Sequence, residues 1–220
     1  MSATPPTFTD YLVGVGTLIG GAGALIAGIA AWRALGTWRA KLNGESRFNL
    51  AKRLLIAAHD FAEKFHDARS RVILEPDLAA VLNNPAATGA QRSGAYEMAF
   101  DARWEHVRVS GAQLLSLLPE AKSLLPPNVA EAANELLKVS TTLRASMAEF
   151  VGLVRDYNMG GTKPDLPPGA QAEWHRVRKD VYSSDPRNNP DTDNPLTQQF
   201  IERHETLVKI VRPFVERAGG

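Results

Sequence analysis

The sequence predicts an all-α protein in which a single N-terminal transmembrane helix precedes an antiparallel four-helix bundle-like domain with two long loops. Two observations carry this expectation. Residues 11–32, YLVGVGTLIGGAGALIAGIAAW, form an uncharged stretch between Asp10 and Arg33. Beyond them, four segments repeat apolar residues at the helical period, and none shows the alternation of a half-buried strand. The expected organisation is a short extracytoplasmic tail (1–10), a transmembrane helix (11–32), a basic juxtamembrane linker (33–45) and a cytoplasmic helical domain (46–220).

As a helix, the uncharged stretch would extend about 33 Å, enough to cross a hydrocarbon core of roughly 30 Å. A secretion signal would need a basic start and a shorter apolar run. MSATPPTFTD contains neither Lys nor Arg. The glycines would weaken a buried helix in water but are common in membrane spans. Between 33 and 53, Arg33, Arg39, Lys41, Arg47, Lys52 and Arg53 face Glu45 alone, a net charge of +5. That collar places the C-terminal side in the cytoplasm and the N-terminus outside, across an inner (plasma) membrane. Trp32 and Trp38 suit the inner interface, and Arg33, Arg39 and Lys41 are candidate contacts to anionic lipid.

Gly16, Gly20, Ala24 and Gly28 recur every four residues. On a helix they form one ridge of small residues, a surface through which spans associate in lipid. The reading is a homo-oligomer through the span; the alternative is a span merely rich in Gly and Ala.

After the span, Asn43-Gly44 reads as a turn and Ser46 as a helix cap. The first seam then runs through Leu54, Ala58, Phe61, Phe65, Ala68 and Val72. A second follows Phe100, Trp104, Val107, Gly111, Leu114 and Leu118. The third, from Val129 to Tyr157, starts behind Pro126-Pro127 with Asn128 and Glu131 as an expected capping box. The fourth carries Phe200, His204, Leu207, Val211 and Phe214, with Asn194 as cap, Pro195 at the first helical position and Pro213 as a kink or stop.

If these helices alternate in direction, the short link at 119–127 lies near the bilayer and the long connections at 73–92 and 158–194 meet at the far end. Long loops in compact domains are usually functional or disordered. The second contains AEWHRVRKDVY, where Trp174, Val177 and Val181 fall on one side of a short helix. Trp174, His175, Arg176, Arg178 and Lys179 form the candidate partner surface. The competing reading is a packing helix whose basic residues are solvated.

Reactive constellations are scarce. Glu63-x-x-His66 has the spacing of di-metal bundle ligands, but His59, Glu63 and His66 fall 120–180° from the seam by about 100° per residue, on the expected solvent side. No second Glu-x-x-His occurs. His204 sits on a seam, as a core histidine or a pH-sensitive element. NMGGTK lacks the phosphate-loop spacing, and DTDN lacks the glycine and fifth ligand of a calcium loop. With no cysteine there is no disulfide, thiolate metal site or cysteine nucleophile. Residues 54–220 carry a net charge of −3, which argues against a nucleic-acid partner.

The order of a short tail, one span, WRAKLNGESRFNLAKRLL, ARWEHV and a terminal RPFVER resembles bacterial single-span membrane proteins with a helical cytoplasmic domain. The resemblance implies architecture and a bacterial inner membrane, and no activity. The glycine content of this span departs from that group. Together these readings lead to the expectation of a non-catalytic, membrane-tethered interaction or scaffold module without metal or cofactor, whose partners are the bilayer and an unidentified cytoplasmic protein. The rival expectations are a self-associating membrane effector that forms an oligomer or pore, and a metal-binding bundle enzyme.

Overall fold

The computed structural model describes the backbone of residues 8–69, 76–158, 166–182 and 194–216. Side chains are described within these at 28, 31–33, 35, 36, 38, 41–69 and from 79 onward. Seven helices account for the described secondary structure: α1 (Phe8–Ala68), α2 (Pro76–Asn83), α3 (Gly89–Ser116), α4 (Leu118–Leu124), α5 (Pro127–Asp156), α6 (Pro168–Val181) and α7 (Pro195–Glu216). The chain is therefore all-α, as the seams predict. By its contacts it divides into two compact units, Met1–Ser46 and Arg47–Gly220.

In the first unit, the turn expected at Asn43-Gly44 does not form: α1 runs through both residues. A helical glycine costs about 1 kcal/mol relative to alanine, too little to break a helix continued by good formers on either side. Of the expected span 11–32, only Gly28, Ala31 and Trp32 have described side chains; Gly16, Gly20, Ala24 and, further on, Arg39 lie outside the described residues. Among the described residues no helix is long and apolar enough to cross a membrane.

The second unit is built around α5, which packs against α3, α4, α6 and α7. Its seam is buried from Val129 through Ala133, Leu136, Leu143, Met147 and Phe150 to Val154, whereas Tyr157 emerges at the helix end. α3 runs antiparallel to α5, because Gly89 meets Arg155, Tyr96 meets Phe150, Asp101 meets Arg144 and Gly111 meets Leu137. The same test makes α1 and α7 antiparallel: His59 touches His204, Phe65 stacks on Phe200, and Arg69 reaches Thr197. Leu54, Ala58, Phe61, Phe65 and Ala68 are all buried. Val72 lies outside the described residues.

Three short helices join the four expected seams. α6 fills the place anticipated for a short helix, while α2 and α4 occupy segments expected to be connections. The helix starts also differ in part. Asn128 and Glu131 do not cap α5, whose N-cap is Pro126 with no side-chain hydrogen bond and proline at the next position. Proline suits that site because it lacks the N–H that would go unpaired there. The reciprocal capping box instead belongs to Thr88 and Gln91 at the start of α3. Asn194 does cap α7, its side-chain oxygen accepting from the amides of Leu196 at 2.9 Å and Thr197 at 3.1 Å. Pro213 neither ends α7 nor falls at its last residue; the helix continues to Glu216.

Candidate functional site

Within the second unit the end of α1 meets the last turn of α6 and the start of α7. Arg69, just past α1, is 0 % exposed there. Its Nε donates to the backbone oxygen of Asp180 at 2.7 Å, one terminal nitrogen to the Lys179 oxygen at 3.2 Å, and the other to Thr197 Oγ1 at 2.8 Å. The two carbonyls belong to the last turn of α6, where helical oxygens lack amide partners and a partial negative charge accumulates. A guanidinium with its fork of donors answers both needs. Asn194 Nδ2 also donates to the Lys179 oxygen, and the Arg69 guanidinium lies 5.7 Å from the centre of the Phe65 ring. Arg69 thus fastens α1, α6 and α7 together.

This network fixes the candidate partner surface on α6. Val177 and Val181 are fully buried, and Trp174 is half-buried with its ring stacked on Phe150, centroids 4.7 Å apart. Arg176 pairs with Glu149 and lies 3.5 Å from Asp180, whose carboxylate also accepts from Ser146 at 3.2 Å. The Glu149 carboxylate holds the Arg176 guanidinium above its ordinary pKa. His175, Arg178 and Lys179 have exposed side chains. Of the five residues, Trp174 faces the core, Arg176 is tied to α5, and three remain outward.

Behind Trp174 lies an aromatic cluster of Tyr96, Phe100, Phe150 and Tyr182, with neighbouring centroids 5.1–6.1 Å apart. Burial drives both tyrosine hydroxyls to higher pKa, Tyr182 most, against the opposing pull of nearby arginines. Arg92 ties the start of α3 to the residues that follow α5 and α2, donating to the carbonyls of Asn158 at 3.1 Å and Asn84 at 2.9 Å. Sequence reasoning missed both buried arginines. For Arg69 the available signal was an arginine directly following Ala68, a position of the first seam; Arg92 carried none.

The histidines depart from expectation. His59 and Glu63 are exposed as foreseen, but His66 is half-buried with its ring 5.3 Å from Phe200. The face is less solvated than its angle implied because α7 packs across it. His59 meets His204 edge-to-face at 4.9 Å. Burial, and then His59, lower the His204 pKa, with Glu205 pulling the other way; its Nε2 is buried without a hydrogen-bond partner. Among the described residues no three His, Asp or Glu side chains are placed to hold a metal ion.

In the first unit, Trp32 is 81 % and Trp38 59 % exposed, and Leu35 and Leu42 are exposed as well. Arg33 and Lys41 are exposed beside them. Gly28 has nothing within 4 Å of the place a side chain would occupy. No protein-family model, curated protein or solved structure matches this chain.

Proposed function

We propose that this protein is a non-catalytic helical interaction module, tethered to an inner membrane by its N-terminal stretch and presenting its second unit to a cytoplasmic protein. The observation behind this reading is the exposure of Trp32 and Trp38 on α1, interleaved with Arg33 and Lys41. Large aromatic rings left in water together with cations match the chemistry of a bilayer interface. The unit that follows has a continuous core and, among its described residues, no metal-ligand cluster. His175, Arg178 and Lys179 offer the outward polar surface. A C-terminal reporter and carbonate extraction test the tether: a cytoplasmic, membrane-retained reporter supports it, and a soluble or periplasmic one overturns it.

A second reading, self-association through Gly16, Gly20, Ala24 and Gly28, draws on the open space at Gly28. Cysteine-free crosslinking of Gly20→Leu against the parent separates the two; unchanged oligomer ladders dismiss the ridge.

A further inference from the structure

A groove of about 500 Å³ lies between α3 and α5, within the second unit. Its volume falls in the range of small-molecule sites, which are mostly apolar with a few placed polar groups. Its apolar lining comes from Phe61, Trp104, Val107, Leu115 and Leu137. Both helices present the same stripe to it, residues 104, 107, 108, 111 and 115 from α3 and 134, 137, 138 and 141 from α5. Gly111 sits where α3 crosses α1: a side chain there would begin 3.2 Å from Phe61 and 3.5 Å from Leu137. The glycine keeps the groove continuous along about 16 Å of α3.

The charged groups are few and of one sign, beside the neutral Asn134, Ser140 and Thr141. Ser140 and Thr141 turn their hydroxyls back to the carbonyls of Leu137 and Lys138. The charged lining consists of Arg108 and Lys138, and no carboxylate joins them. Each cation is held by an acid three residues earlier on its own helix, Glu105 and Glu135, in pairs exposed to solvent. Such exposed pairs contribute little to stability. Another cavity, about 160 Å³ and lined by Glu97, Asp101, Arg144 and Arg155 among others, is smaller and mixes both signs.

We propose that the α3–α5 groove binds a free fatty acid, its alkyl chain lying along Trp104, Gly111, Leu115 and Leu137 and its carboxylate held by Arg108 and Lys138. The proposal is independent of the membrane tether, since every lining residue belongs to Arg47–Gly220. The test uses the full-length chain in lipid nanodiscs, a photoactivatable analogue of lauric acid, and mass-spectrometric mapping of the adducts. Labelling is expected within 104–115 and 134–141, displaced by laurate. It should fall about tenfold in Arg108→Gln/Lys138→Gln, whose exposed side chains leave the core untouched. Leu115→Glu, also at an exposed position, is a second variant expected to lose labelling with its helix content intact. Adducts confined to the N-terminal stretch overturn the proposal, as does equal labelling by the uncharged alcohol analogue. Displacement by an acidic amphipathic peptide but not by laurate also overturns it, in favour of a helical protein ligand.

Discussion

The guanidinium of Arg69 donates to the backbone oxygen of Asp180, 111 residues away, at 2.7 Å. A charge placed wholly out of water is costly unless its donors are met. Here the carbonyls of Lys179 and Asp180 and the Thr197 hydroxyl meet them; without the arginine the last two acceptors would lose that donor, while the Lys179 oxygen would keep Asn194. Arg69→Met should therefore destabilise the second unit by about 3 kcal/mol, more than loss of one neutral hydrogen bond. Chemical denaturation checks the size. Hydrogen exchange should show the last turn of α6 opening first, and a variant as stable as the parent would remove Arg69 from this role.

Gly89 and Asn158 answer a different constraint. A Cβ on Gly89 would stand 2.5 Å from the Arg155 carbonyl oxygen, so Gly89→Ala must push α3 away from the end of α5. Overpacking of this kind costs about 1–3 kcal/mol. Asn158 has φ of 46°, the left-handed conformation that closes a helix C-terminus. Asn158→Ala should lose about 1 kcal/mol and Asn158→Gly almost nothing, a contrast readable by thermal unfolding.

The proton linkage at His204 has a definite sign. Its folded pKa lies below its ordinary value of 6.5, so the unfolded chain binds the proton more readily. Its contribution to stability is complete above 6.5 and is lost as pH falls through that value toward the folded pKa. His59 on α1 adds to the effect, and Glu205 on α7 opposes it. The midpoint of unfolding should fall on acidification below 6.5, and His204→Phe should flatten that part of the profile. An unchanged slope would assign the acid sensitivity elsewhere.

Trp174 and the basic residues beside it should separate in their effects. Trp174→Ala removes a ring stacked on Phe150 and is expected to cost about 2 kcal/mol. Arg178→Glu with Lys179→Glu alters exposed side chains and should change stability by less than about 0.5 kcal/mol. Loss of partner recovery in the double charge variant, with denaturation midpoint unchanged, supports the outward surface of α6. Loss in Trp174→Ala alone would report a loosened core.

The apolar periodicity marked the core because seam residues on four helices end up facing one another: Leu54, Phe61, Leu114, Leu136, Phe150 and Leu207 are all buried. The cap at Asn194 was legible for a local reason, since an asparagine before proline needs only its own next two amides. The continuity of α1 was not, because a turn dipeptide reports a preference of about 1 kcal/mol that neighbouring residues override. Asn128 and Glu131 had the spacing of a box, but the helix is capped two residues earlier, at Pro126, and starts at Pro127. The candidate site was readable only in outline. Basic residues on α6 could be seen in the sequence; that Arg176 is tied to Glu149, or that Arg69 closes the helix behind it, depends on partners from distant segments.

The Arg69–Thr197 bond joins residues 128 positions apart, which sets an order on biosynthesis. A chain emerging from the ribosome has α1, α3 and α5 in hand well before the partner that covers Phe65 exists. Until translation passes residue 197, that guanidinium remains hydrated and the Phe65 face awaits Phe200. Distant contacts of this sort delay completion and lengthen the interval in which sticky surface is open. A nascent or truncated product lacking α7 would therefore be the form most in need of a chaperone.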